Sequence, residues 1–360
     1  MDGLPLWLLL AVFVVAAAVI WIAGIQLSKT TDVLDARLHL GSALGGLIVL
    51  AVATNLPEIA ITVTAAASGS VEVAVGNILG GIALQTVVIV ILDLFGKRGK
   101  GAKPLTYRAA SLSLVIEALV VIAVLSVVVA GTQLPKQLDF LRLTPQAVLI
   151  AVAWVVGLFL VRRAGKHLPW QEKGHAPDSS PHPSGHRTRT GPHHADAEQQ
   201  KKPMSTGKAA LIFIVAALVT LIAGYVLEQA GDAASSKIGL SGVLFGATVL
   251  ALATSLPEIS TGLQAIRQGD KNLAISDIFG GNAFLPVLFL LAGLISGKAV
   301  LPQAQASDIY LTALAGLLTA IYAFGLLFRP QKRVLGMGVD SLLVLIVYLI
   351  GIGGLFAVAR

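Results

Sequence analysis

The chain contains no cysteine, which excludes disulfides and thiolate metal sites. Charge is also scarce: Asp, Glu, Lys and Arg make up 12% of the 360 residues, whereas 56% are hydrophobic. Histidine is almost missing from the apolar stretches, since six of the seven fall within residues 164–207, and no H-E-x-x-H metal motif occurs. A mean hydropathy of +0.83 is too high for a soluble domain to bury its apolar surface, so a polytopic membrane protein is expected. A formal charge of +7 would point to nucleic acid in a soluble protein. Here the basic residues lie between apolar runs, where membrane topology accounts for them, and no nucleic-acid partner is expected.

Those runs fit ten spans, each near the ~20 residues that cross a bilayer. They fall at 4–27, 39–67, 71–95, 109–131, 144–163, 208–230, 238–266, 272–296, 306–328 and 339–358. The first follows Met-Asp-Gly, has no basic leader and exceeds a signal-peptide core, so it is read as a retained span. Residues 164–207 differ in character, being rich in Pro, Gly, Ser, His and charge. Such a segment cannot bury a core and reads as a tether. The expected fold is all-α, with residues 1–163 and 208–360 as two five-helix halves joined by a His-rich cytoplasmic linker, 164–207. Its histidines, among them His175, His182, His186, His193 and His194, are irregularly spaced and read as solvated rather than metal-binding.

The halves repeat each other. Ala53-Thr54-Asn55-Leu56-Pro57-Glu58 returns 200 residues later as Ala253-Thr254-Ser255-Leu256-Pro257-Glu258, and residues 40–94 match 240–294 at 21 of 55 positions without gaps. Matches outside the motif include Gly69/Gly269, Gly80/Gly280 and Gly81/Gly281. The two copies lie on the second and seventh spans, an offset of five, which is odd, so the second copy enters the membrane inverted, as in many secondary transporters. With the N-terminus outside, 21 Lys and Arg residues lie on the inner side and 5 on the outer, a clear positive-inside bias.

A proline within a helix removes a donor and displaces the carbonyl four residues earlier, so Pro57 and Pro257 are expected to free the carbonyls of Ala53 and Ala253. In lipid, such carbonyls persist only where they line a polar cavity. Thr54 and Glu58 share a helix face, as do Thr254 and Glu258 on the inverted copy. Facing one another, they offer two carboxylates, two hydroxyls and backbone oxygens, a donor set suited to a hard cation such as Ca²⁺. Without a divalent ion, the two carboxylates would take up protons or monovalent cations, and competition for one site becomes antiport.

A TxLPE helix followed by a Gly-rich helix, with an inverted copy of both, resembles the alpha-repeats of the Ca²⁺:cation antiporter superfamily. The resemblance is to its sodium/calcium exchanger branch and prokaryotic members, and it extends over nearly the whole chain. It implies that Glu58 and Glu258 bind Ca²⁺ together with backbone oxygens of Thr54 and Thr254, while Na⁺ or H⁺ drives exchange. Several positions depart from the family pattern. Asn55 stands where a serine is usual (Ser255 keeps it), Gly81 and Gly281 replace the serines of the second helix, and Gln85 and Leu285 follow one turn later. These changes remove side-chain ligands expected for Na⁺ and leave H⁺ and Na⁺ both open as the driving ion. A monovalent Na⁺(K⁺)/H⁺ exchanger stays open as the alternative.

Asn55, Ser255, Gly81, Gly281, Gln85 and Asn282 are therefore candidates for lining the site, with Gln85 and Asn282 equally suited to interhelical hydrogen bonds. Asp277 is read as an anion at a helix N-terminus. Glu117, a carboxylate within the fourth span, lacks a repeat partner. A phosphate-processing enzyme would want Lys or Arg beside the site, and residues 40–94 contain neither, so an enzyme is not expected. Neither is a cofactor beyond the transported Ca²⁺ and H⁺ or Na⁺. A passive channel is disfavoured because inverted broken helices suit alternating access. Inorganic cations and the lipid bilayer are the expected partners, and the sequence names no protein partner.

Overall fold

The computed structural model describes residues 1, 3–38, 45–69, 71–96, 103–109, 111–134, 143–165, 204–238 and 251–358. Most of the expected linker lies outside them. Among the described residues the regular elements are helical apart from one small hairpin. In order come α1 (Leu6–Leu38), a π-helical turn (Gly45–Leu50), α2 (Ala51–Thr54), α3 (Leu56–Ser68) and α4 (Val71–Phe95). Next are α5 (Leu105–Arg108), α6 (Leu112–Thr132) and α7 (Pro145–Ala164). Beyond the linker run α8 (Thr206–Ile238), α9 (Ala251–Thr254), α10 (Leu256–Gln268) and α11 (Lys271–Phe284). A 3₁₀ turn (Leu285–Val287) leads to α12 (Leu288–Ser296), then α13 (Ala306–Phe328), β1 (Arg333–Val334), β2 (Met337–Gly338) and α14 (Val339–Val358).

Among the described residues, seven helical stretches are long and apolar enough to cross a bilayer. An eighth is the pair Ile48–Thr54 and Leu56–Ser68, bent by 58° at its break, and α14 carries a shorter apolar stretch. Three spans are expected to be continuous or shorter, and the structure changes each for a local reason. The first continues to Leu38 because the polar residues that suggested a loop are satisfied inside the helix: Thr30 Oγ1 donates to the Gln26 carbonyl (2.7 Å) and Thr31 Oγ1 to that of Leu27 (2.9 Å). The sixth continues to Ile238, where Ala230, Ala233 and Ala234 are buried. The eighth tightens into a 3₁₀ turn at Leu285–Val287, where Pro286 has no N–H to continue the α-helical ladder.

The motif helices break one residue earlier than a proline kink would place them. In both repeats one helix stops at the motif threonine, a single residue (Asn55 or Ser255) links, and the next begins at Leu56 or Leu256. Pro57 and Pro257 therefore occupy the first turn of a new helix, where a missing N–H costs nothing, rather than kinking a continuous one. Both second helices end 13 residues on at a glycine in the left-handed region, Gly69 (φ 81°) and Gly269 (φ 97°).

The layers follow from burial. Of the residues in the most apolar stretch of α4, 72% are buried, and 67% of those in the stretch covering α11 and α12, so these form the centre with α6 and α13. In the corresponding stretches of α1 and α8 only 28% of the residues are buried. They pack along each other and carry exposed Trp7, Val14, Ile22, Leu211, Leu218 and Ile222. In water that apolar surface would be penalised at about 25 cal/mol per Å², whereas lipid accepts it.

Two glycines bring this outer pair onto the motif. A Cβ at Gly224 of α8 would lie 2.6 Å from Pro57 Cγ and 3.2 Å from Pro57 Cα. A Cβ at Gly24 of α1 would meet the Ser260 hydroxyl, with Ser260 Cβ at 3.1 Å and the Pro257 carbonyl at 3.2 Å. Gly24 and Gly224 stand 200 residues apart within matching Ile-Ala-Gly triplets, so the duplication extends into the first helix of each half.

Candidate cation site

The two motif glutamates come from opposite repeats and meet in the protein interior. Glu58 in the first turn of α3 is 2% exposed and Glu258 in that of α10 is 1% exposed, which for carboxylates requires compensation. They lie close enough for their charges to repel. Each is faced by the threonine of the other repeat, Glu58 by Thr254 and Glu258 by Thr54. In each glutamate Oε2 is buried without a hydrogen-bond partner. Two first-turn positions thus hold carboxyl oxygens without hydrogen-bond partners beside the broken ends of α2 and α9. Ala53 and Ala253, in the last turns before the breaks, are also buried.

The space around the pair is not symmetric. Asn55 stays inside the break: its Nδ2 donates to the Ala51 carbonyl (2.7 Å) and its Oδ1 accepts from Gln85 Nε2 (2.8 Å). Gln85 Nε2 also reaches Glu258 Oε1 at 3.4 Å, while Gln85 Oε1 is left without a partner. These amides occupy the space above Gly281, where a Cβ would lie 2.6 Å from Asn55 Nδ2 and 3.5 Å from Gln85 Oε1. At Gly81, its repeat mate, a Cβ would meet nothing within 4 Å. The two repeat-mate glycines therefore sit in different surroundings, Gly281 against amide groups and Gly81 against nothing.

Of the remaining candidates, Ser255 is buried at the second break. Asn282 faces elsewhere, its Nδ2 donating to Thr86 Oγ1 on α4 at 2.9 Å, an interhelical hydrogen bond rather than a contact with the carboxylates. Asp277 is a correction. The N-terminus of α11 is capped by Asp270, whose carboxylate accepts the Leu273 N–H (2.9 Å). Asp277 lies about two turns further along the helix, fully buried, where the helix dipole offers little. Its Oδ1 accepts from Thr54 Oγ1 (3.2 Å) and its Oδ2 from Thr261 Oγ1 (2.7 Å), so it joins the first motif to α10 of the second repeat. One signal of this was in the sequence, because Asp277 is the repeat mate of Asn77. Asn77 instead donates to the Glu58 carbonyl (3.3 Å) and Thr62 Oγ1 (3.5 Å). Glu117 on α6 is fully buried facing Ser276, the neighbour of Asp277, with neither carboxylate oxygen hydrogen-bonded.

Broken helices that bring paired carboxylates into the interior of a helical membrane protein define a class built to hold small inorganic cations within the membrane. Residues 8–162 and 208–354 match the sodium/calcium exchanger protein family. The chain belongs to that family, and with it to the Ca²⁺:cation antiporter superfamily. Among curated relatives, "Putative antiporter CaxA" of Alkalimonas amylolytica is 25% identical over 300 residues, covering 82% of this chain and 84% of its own. Inner membrane protein YrbG of Escherichia coli is 23% identical over 295 residues, 80% of each. Among solved structures, the sodium-calcium exchanger NCX_Mj soaked with 2.5 mM Na⁺ and 1 mM Sr²⁺ has a TM-score of 0.63 at 16% identity, over 96% of this chain and 98% of its own. That likeness concerns the fold.

Proposed function

We propose that this protein exchanges Ca²⁺ for H⁺ or Na⁺ by alternating access, using Glu58 and Glu258 as the shared cation-binding carboxylates. The observation that carries this reading is their meeting from opposite repeats, buried, each with an unpartnered Oε2. A hard divalent cation satisfies both charges at once, and oxygens of Ala53, Thr54, Ala253 and Thr254 beside the breaks complete an all-oxygen shell. When the divalent ion leaves, two adjacent anions in a low-dielectric interior cannot stay uncompensated, so protons or Na⁺ replace it. An empty site is then too costly to reorient, which couples the two fluxes.

Ten spans as two inverted five-helix repeats, 1–163 and 208–360, form the frame of this mechanism. Matching breaks at Asn55 and Ser255, matching helix ends at Gly69 and Gly269, and the paired contacts of Gly24 and Gly224 support it. The distribution of basic residues supports an N-terminus outside and a cytoplasmic linker, 164–207, in a cell membrane. The outer pair α1 and α8 slides over the motif helices through the two glycine contacts.

A second reading, monovalent Na⁺(K⁺)/H⁺ exchange at the same site, draws on the bare Gly81 and Gly281, the apolar Leu285 and the amide of Gln85 against Glu258. Flux in proteoliposomes under separate Na⁺ and H⁺ gradients, with the voltage clamped, separates the two. Ca²⁺ uptake driven by either gradient, and abolished in Glu58→Gln and Glu258→Gln proteins that insert normally, is the expected result. Normal exchange in either variant would refute the site. Absence of Ca²⁺ movement under both gradients would leave the monovalent reading.

A further inference from the structure

Glu117 is a carboxyl group that the paired-glutamate mechanism does not use. It lies on α6 with no exposure, and neither of its oxygens has a hydrogen-bond partner. An ionised carboxylate left uncompensated in an apolar interior is too costly to persist, whereas a carboxyl group that holds a proton and hands it on is not. Polar groups lie on both sides of it. Towards the start of α6, Ser113 is four residues earlier and shares its helix face. Ser111 and Ser113 are half-buried at that helix start, their hydroxyl oxygens 2.6 Å apart. On the other side Glu117 faces Ser276 of α11, the chain neighbour of Asp277. The Asp277 carboxyl group accepts from the hydroxyls of Thr54 and Thr261, and Thr54 in turn faces Glu258. Hydroxyl and carboxyl groups therefore follow one another from the half-exposed start of α6 to the second motif, between helices whose other buried residues are mostly apolar. A hydroxyl both donates and accepts, which suits it to passing a proton along.

We propose that Glu117 is a proton-relay residue of the exchanger, which takes protons from the Ser111–Ser113 end of α6 and delivers them towards Glu258 as the divalent cation leaves. In each passage Glu117 gives up its carboxyl proton, the Glu258 carboxylate gains one, and the aqueous phase at the start of α6 restores the proton of Glu117. This rests on the assignment of Glu58 and Glu258 to the cation site, and it makes H⁺ a driving ion. The other titratable groups of the helices packed on α6 are placed or engaged elsewhere. Arg162 and Arg163 of α7 are exposed, and Lys271 stands at the start of α11, more than a turn before Ser276. On α13, Asp308 caps the helix start through the Gln305 N–H, while Tyr310 and Tyr322 donate to Gly351 and Ser341 of α14. The residue 200 positions beyond Glu117 is Leu317, which is exposed, so the relay belongs to one half of the molecule.

The test is flux in proteoliposomes of the full-length protein, comparing H⁺-driven Ca²⁺ uptake with Ca²⁺–Ca²⁺ exchange, which needs no proton. Equilibrium Ca²⁺ binding at fixed pH and thermal unfolding are read alongside. In Glu117→Gln, H⁺-driven uptake should fall about tenfold or more, while Ca²⁺–Ca²⁺ exchange and Ca²⁺ binding stay within a few-fold. Glu117→Asp keeps the acid and should recover part of the loss, and Ser113→Ala should slow H⁺-driven uptake in the same selective way. Glu117→Leu keeps an apolar filling of similar size and removes all proton chemistry. Normal H⁺-driven uptake in Glu117→Leu or Glu117→Gln would reduce Glu117 to packing and overturn the proposal. Equal loss of both flux modes in these variants, with a lowered unfolding temperature, would also overturn it, in favour of a structural role. Wild-type uptake driven by Na⁺ and not by H⁺, with Ca²⁺ binding lost in Glu58→Gln and Glu258→Gln, would overturn the relay and leave the two-glutamate site standing. Undiminished Ca²⁺ binding in those two variants would overturn the site itself, and the relay with it.

Discussion

Gly81 and Gly281 occupy matching positions in the two repeats but should respond oppositely to the same methyl group. At Gly281 a new Cβ would lie 2.6 Å from Asn55 Nδ2, a contact that cannot exist without movement. Asn55 cannot move freely, since its amide is tied to the Ala51 carbonyl and to Gln85, which in turn reaches Glu258. Overpacking of this kind costs about 1–3 kcal/mol, so Gly281→Ala should lower stability by that amount and disturb the carboxylate environment. At Gly81 nothing lies within 4 Å, and Gly81→Ala should be neutral or stabilising by up to about 1 kcal/mol through helix propensity. Shortening Asn55 to serine should relieve the clash. In a double-mutant cycle of Asn55→Ser with Gly281→Ala, the coupling should therefore be about 1–3 kcal/mol in the relieving direction. The cycle with Gly81→Ala should show almost none. Thermal unfolding of the detergent-solubilised variants, with cation binding measured alongside, reads all of these. Equal responses at the two glycines, or additivity of Asn55→Ser with Gly281→Ala, would refute the asymmetric packing on which the description of the site depends.

Alanine at Gly224 or Gly24 should act on movement rather than on affinity. If a clash of about 1–3 kcal/mol falls on one access state, exchange rates fall roughly 5- to 150-fold while Ca²⁺ binding stays within a few-fold, as paired flux and binding assays would show. Combining Gly24→Ala with Ser260→Ala should restore part of the rate, because it removes the hydroxyl that the new methyl meets. Replacing residues 166–203 by a short Gly/Ser tether should leave basal exchange intact in proteoliposomes, and loss of all transport in a correctly inserted protein would give the linker a direct role.

The repeat itself was legible because two copies of one unusual motif, each with a proline and a carboxylate in apolar sequence, cannot be explained by lipid. The 200-residue offset then predicted which groups would meet, and Glu58 and Glu258 do. The place of the break was not legible. A proline reads as a kink, whereas the structure ends one helix at the threonine and uses Pro57 to start the next, the position where proline is best tolerated. Gly24 and Gly224 were hidden for a different reason: single matches in Leu-, Val- and Ala-rich sequence carry little information until a close approach gives them meaning.

Asp277 was misread because its neighbours in sequence do not explain it. Its hydrogen-bond partner Thr54 lies 223 residues away in the opposite repeat, and no periodicity reports such a contact. Duplication builds a site with matched halves, and the residues that then break the match are where the two halves acquire different tasks. Asn55 against Ser255, Gln85 against Leu285 and Asn77 against Asp277 are three such pairs. In the first two, the N-terminal half supplies neutral amides that crowd Gly281. In the third, the C-terminal half supplies a buried carboxyl group bonded to Thr54 and Thr261. The halves thus bring different polar groups to their paired glutamates, so the selectivity of this exchanger should be sought in its departures from internal symmetry rather than in the motif its two halves share.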